Sequence, residues 1–267
     1  MVFQLPLRSR VEVFKGTNDW HQVRIRQEFS IAETALLICD MWDNHWCTAA
    51  AQRVNALVRK MAPIVDQSRN AGIVIIHAPS EVMEYYKDYP QRKEILAIPK
   101  LPPPVGLDLR DPPLPIDDTQ GGCETPGAKF FKAWTKEHDS IRIQPEDVIS
   151  DNGTEIYSFL RSKRIQNLLV MGVHTNMCIL NRPFGIKQMT RWGIHCILVR
   201  DLTDAMYDPN YRPFVNHARG TELVVEHIEK YWCPSTLSNE LSEALRHVRR
   251  SSGGGTFSPK KIDRRAQ

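Results

Sequence analysis

The 267-residue chain predicts an α/β fold with a parallel sheet covered on both faces. Two observations carry that prediction. Short apolar runs occur without the polar alternation of a half-exposed strand, which is how strands buried on both faces read. Helix-forming segments stand between those runs, the alternation that builds parallel sheets through crossovers. There is no internal repeat.

In chain order, VEVFKG and QVRIRQEF near the N-terminus suggest a small hairpin. TALLICD (34–40) reads as a buried parallel strand ending in an acid. Residues 49–72 hold helix formers with apolar residues near helical spacing, and Gly72 suits a C-terminal cap. GIVIIHAPS (72–80) is a second buried strand. Residues 81–97 read as mostly helical, interrupted at Pro90. SIRI (140–143) reads as a short strand, 154–164 as a helix, 165–173 as a strand, 178–193 as a helix, 194–201 as a strand and 212–232 as a helix. Pro99 to Gly127 holds eight prolines. So long a loop in a compact domain suggests a lid, a subunit contact or a solvated insertion.

Length fits one α/β domain with extensions: an N-terminal extension (1–30), a main domain (31–245) interrupted at 99–127, and a basic tail (246–267). The net charge of +4 is not a nucleic-acid signal. From Leu245 onward seven basic residues face only Asp263, so that tail carries +6 and the rest of the chain −2. With its SSGGG run the tail reads as flexible and solvated. No apolar run approaches the roughly 20 residues of a membrane span, and the N-terminus lacks a signal-peptide pattern. The expected location is cytoplasmic, without nucleic-acid or membrane partners. The six cysteines form no CxxC pair and no zinc-ligand spacing, so all six are expected as free thiols, with Cys39 and Cys196 in the core.

In open parallel sheets the active crevice lies at the carboxyl ends of the strands. Asp40 stands at one such end, His77 at a second, and Gly172-Val173-His174-Thr175-Asn176-Met177-Cys178 follows a third. Cys178 would open the next helix, where unpaired amides favour a thiolate and can hold an oxyanion. A carboxylate at Asp40 can take the thiol proton. A strand-to-helix cysteine can equally be packing.

The pieces ALLICDMWD, NGTEIYSFLRSKRIQNLLVMGVHTNMCIL and WGIHCILVRDLTDAM resemble the isochorismatase-like cysteine hydrolases over most of 33–205. The resemblance implies a three-layer α/β fold of the Rossmann type with a mainly parallel six-stranded sheet, usually oligomeric, and an Asp–Lys–Cys triad. Carried over, Asp40 is the base and Cys178 the nucleophile. The Val173–His174 peptide matches a cis bond of the family, and the amides of His174 and Cys178 pair as its oxyanion hole.

Three departures follow. Many relatives carry the lysine about nine residues before the helix threonine, where this chain has Gln144-Pro145. Nicotinamidase-like relatives carry it about 18 before Thr154, where Lys136 stands. Lys136 is therefore the expected third member, with Lys132, or no lysine at all, as alternatives. The Asp-x-His metal motif of nicotinamidases is absent from HAPSEVMEYY; no metal and no cofactor is expected, although His77 and His45 remain. His174 and Asn176 stand where relatives often have Ala and Asp. A cysteine at 178 favours C–N (amide-like) hydrolysis of a small molecule through a thioester. The alternative is a non-catalytic member that binds a ligand or partner with an incomplete triad. Trp42, Trp46, Tyr85, Tyr86 and Trp134 are candidate pocket walls.

Overall fold

The computed structural model describes residues 1–248. The expected basic tail lies outside the described residues from 249 onward. An eight-stranded sheet forms from β1 (Val2–Glu12), β2 (Trp20–Ser30), β3 (Thr34–Cys39), β4 (Val74–Ala78), β5 (Val148–Ile149), β6 (Asn167–Val173), β7 (His195–Asp204) and β8 (Ser235–Thr236). The helices are α1 (Thr48–Asn70), α2 (Met83–Tyr86), α3 (Pro90–Ala97), α4 (Gly153–Ser162), α5 (Cys178–Asn181), α6 (Ile186–Arg191), α7 (His217–Tyr231) and α8 (Ser238–Arg246).

The strand order is β2-β1-β8-β7-β6-β3-β4-β5. The six strands β3 to β8 run parallel to their neighbours. The N-terminal hairpin adds two antiparallel strands at one edge, so the sheet has eight strands rather than six. Strands β3 and β6 are buried at every residue, as a sheet covered on both faces requires. One apolar layer packs the even positions of β6 (Leu168, Val170) against residues of α4, α6 and α7. The other packs the odd positions (Leu169, Met171, Val173) against α1 and α8. The period of two in a pleated strand separates these two cores.

Several expected elements shift. SIRI is not a strand; the edge strand is the two-residue β5. The helix expected over 178–193 divides into α5 and α6, because Pro183 cannot donate an i→i−4 hydrogen bond. Pro90 opens α3 at its first turn instead of interrupting a helix. Residues 98–147 form no named helix or strand. The Pro-rich part is nonetheless a strap laid on the domain: the Leu101 amide donates to Ser158, that of Leu107 to Arg191, and Ile116 is buried. Among the described residues, no helix is long and apolar enough to cross a membrane.

Candidate active site

The carboxyl ends of β3, β4 and β6 lie side by side, which brings their following residues into one crevice. Asp40 leaves β3 fully buried with φ of 47°, a left-handed conformation that costs about 1–3 kcal/mol outside glycine. Its amide donates to the Ala78 carbonyl. One carboxylate oxygen accepts from the Ser80 amide at 2.7 Å. The other accepts from Arg182 Nε at 2.9 Å.

Gly172 sets the entry to the turn that carries Cys178. At φ of 123°, a Cβ there would lie 2.0 Å from the Cys39 carbonyl oxygen. Only glycine lets β6 sit this close to β3. The Val173–His174 peptide is cis. The amides of Met177 and Ile179 both donate to the His174 carbonyl. The His174 amide instead faces the Cys178 sulfur.

Cys178 is half-buried as a residue, while its thiol is turned inward onto Asp40, close enough for a hydrogen bond. Burial first, and the Asp40 charge second, push its pKa well up; Arg182 and the His174 amide oppose them. The helix that follows is four residues long, too short for an appreciable dipole. Burial thus favours the thiol form of Cys178, against the thiolate that the strand-to-helix position suggests. Burial also raises the pKa of Asp40, opposed by Arg182, the thiol and Ser80.

The cation at this pair is Arg182, not Lys136. The Lys136 ammonium is bonded to Asp139 at 2.5 Å and stands near the Tyr85 ring. The backbone explains the outcome: the Trp42–Glu137 bridge and the Asp43 amide donating to the Lys136 carbonyl aim the Lys136 side chain outward. Lys132 reaches the Glu81 carbonyl instead. Arg182 lies four residues after Cys178, so both sit on one side of a helical turn. That spacing is the sequence signal for it. Its guanidinium also bonds Glu81 at 3.1 Å and stands 5.9 Å over the Trp42 ring.

An aromatic wall surrounds this group. Trp42 and Trp134 stack at 4.4 Å, His45 stacks on Trp134, and Phe130 meets Trp134 and Trp46 edge-on. Tyr86 packs in the same cluster as Trp42 and Trp134 and meets Tyr85 and Tyr89 edge-on. His45 and His174 meet edge to face at 4.9 Å. Burial keeps both neutral, lowering His45 to about 4 and His174, which also feels His45, to about 3. A cavity of about 10 Å³ between Asp40, Trp42, His45 and Val173 is room for one water.

His77 is not part of this group. It is buried between Glu137 at 2.7 Å and Asp147 at 3.1 Å. Burial alone would lower its pKa, but the two carboxylates raise it to about 9. No group of three or more His, Cys, Asp and Glu placed to hold a metal occurs among the described residues. Two cysteines are not free: Cys47 and Cys123 form a disulfide. The expectation of six thiols rested on compartment and spacing. The fold overrides it by laying the strap on the start of α1.

A family model, the isochorismatase domain, matches residues 34–229. The chain belongs to the isochorismatase family. It is an isochorismatase-family hydrolase with the α/β architecture of that family. Among solved structures, a cysteine hydrolase from Pseudomonas syringae pv. phaseolicola is 17% identical, with a TM-score of 0.53 over 82% of this chain and 94% of that one. A structure from Burkholderia xenovorans is 13% identical, with a TM-score of 0.50 over 81% and 89% of the two chains. An isochorismatase-like hydrolase from Alkaliphilus metalliredigens is 12% identical, with a TM-score of 0.48 over 81% and 98%. At these identities the likeness is one of fold. None of the curated proteins matches this chain.

Proposed function

We propose that this isochorismatase-family hydrolase cleaves a C–N bond of a small amide-like substrate through a thioester on Cys178. The observation that carries the reading is the buried Asp40 carboxylate, shared between the Cys178 thiol and the Arg182 guanidinium.

An arginine in this position changes the division of labour. Guanidinium does not give up a proton in proteins, so Arg182 acts by charge alone, opposing the burial that raises the Asp40 pKa. Asp40 then carries every proton. As Cys178 Sγ forms its bond to the substrate carbonyl carbon, Asp40 accepts the thiol proton. The carbonyl π electrons move to oxygen, where the amides of His174 and Cys178 stand as donors. Collapse of that intermediate breaks the C–N bond, and protonated Asp40 gives its proton to the departing nitrogen. Water then attacks the thioester with Asp40 as base, releasing the acid and restoring the thiol.

The aromatic wall favours a flat, neutral substrate. Arg182 is engaged by Asp40 and Glu81, and His45 and His174 are neutral at physiological pH. A panel of primary amides, assayed for ammonia, tests the reading. The wild-type protein is expected to release ammonia and a Cys178→Ala variant to lose at least about a thousandfold of that rate. Equal rates in the two proteins would overturn it. An incomplete-triad binding protein, the competing reading, loses its motivation once Arg182 supplies the cation.

A further inference from the structure

The nucleophile turn is held from outside by the Pro-rich strap, through one side chain. Asn176 lies midway between His174 and Cys178 and is buried. Its Nδ2 donates to Asp118 Oδ2 at 2.7 Å and to the Met206 carbonyl at 3.0 Å. Its Oδ1 accepts from the Met206 amide at 2.8 Å. Both amide hydrogens are therefore used, one of them on a carboxylate from a segment 58 residues away. Thr175 fixes the same turn to β7, its amide donating to the Asp204 carbonyl and its hydroxyl meeting that of Thr203 at 2.7 Å.

The strap has the anchorage to act as a fixed post. The Asp117 amide donates to Arg212. Gly122, at φ of 67°, lies so close to Met206 that a Cβ would be 2.2 Å from its carbonyl oxygen. Cys123 is bonded to Cys47 at the start of α1. Thr125 Oγ1 accepts from the Ala49 amide. Glu124 pairs with Arg53, which also holds Asp204 at 2.8 Å. Strap, β7 exit and α1 thus close a ring of contacts around the nucleophile turn.

We propose that Asp118 is a positioning residue: through Asn176 it sets the placement of the Cys178 thiol against Asp40 and the His174 amide. The proposal rests on the cysteine-hydrolase reading for its kinetic consequence. Hydrogen bonds to an ionised acceptor are the stronger class, and misplacing a reacting atom by about 1 Å can cost on the order of a hundredfold in rate. Asp118 touches none of the reacting groups, so its loss acts on the turn alone.

The test compares Asp118→Ala and Asp118→Asn with wild type by two readouts. One is kcat and KM on the best amide of the panel. The other is the pH profile of Cys178 alkylation by iodoacetamide, followed by peptide mass spectrometry, which needs no substrate. Asp118→Ala is expected to lower kcat by about ten- to a hundredfold with KM within about threefold. It is expected to move the alkylation midpoint down towards an ordinary cysteine, as the thiol leaves the Asp40 carboxylate. Asp118→Asn keeps an acceptor for Asn176 and is expected to restore most of kcat and the wild-type midpoint. Wild-type kcat and midpoint in Asp118→Ala would overturn the proposal, as would failure of Asp118→Asn to restore either in a folded protein. If no amide is turned over while alkylation still responds to Asp118, the hydrolase reading fails and the positioning role stands.

Discussion

Replacing Arg182 with methionine removes the charge and keeps most of the stem. Asp40 is then left fully buried with the Ser80 amide and the Cys178 thiol as its remaining partners. Breaking a buried ion pair on one side costs about 3–5 kcal/mol. Arg182 keeps a quarter of its side chain in solvent, which places the loss near the lower end, about 3 kcal/mol. Losing the guanidinium also raises the Asp40 pKa further, since Arg182 is the charge that opposes burial. An acid with a raised folded pKa costs stability above that pKa and nothing below its unfolded value. The destabilisation of Arg182→Met should therefore be largest in neutral and alkaline solution and shrink as pH falls into the ordinary carboxylate range. The same shift removes the base near neutrality. kcat/KM at pH 7 should fall by about a hundredfold or more, with the acidic limb of the pH–rate profile displaced upward. The assays are ammonia release across pH and urea denaturation at pH 5 and 8. A variant with wild-type kcat/KM and an unmoved acidic limb would refute the electrostatic role. Arg182→Lys should recover part of the rate, since one ammonium supplies the charge but cannot bridge Asp40 and Glu81 as the fork does.

Three further outcomes are expected. Lys136→Ala should change kcat/KM by less than about twofold, because the ammonium sits on Asp139 at the surface; a hundredfold loss in a folded variant would restore the lysine to the triad. Stability should peak between the acid and alkaline limbs. His45 and His174, neutral in the fold at about 4 and about 3, lose their contribution as pH falls from about 6.5 toward those values. His77, held charged to about 9, contributes fully below about 6.5 and loses it as pH rises through 9. Urea midpoints from pH 4.5 to 9.5 check both limbs, and His77→Gln should flatten the alkaline one. Gly172→Ala should cost more than about 3 kcal/mol, since the new methyl meets the Cys39 carbonyl. Gly193→Ala, also at positive φ but with open space around it, should cost only about 1 kcal/mol; equal thermal shifts in the two variants would contradict the packing argument.

The Asp40–Cys178 pair is legible because each member stands at a strand end. Asp40 and Cys178 follow β3 and β6, the neighbouring strands of a parallel sheet, and apolar runs alone place those strands. The third member was not legible by counting back from Thr154. Lys136 keeps the expected spacing, but its strap is bridged to Trp42, and that register turns the side chain away. Arg182 is within reach of a local argument, since it lies four residues from Cys178, at the end of the short helix that stops before Pro183.

What the sequence alone determined is the central strands β3, β4, β6 and β7, the helices α1 and α4, and the strand-end positions of Asp40 and Cys178, because hydrophobic periodicity and strand-end position are local properties. Tertiary structure alone decided which cation pairs with Asp40, that Cys47 meets Cys123 of the strap, and that Asp118 reaches Asn176. Each of these depends on where a segment without regular structure is laid down. Such a segment has no period from which its contacts can be read; its path is set by the surfaces it covers.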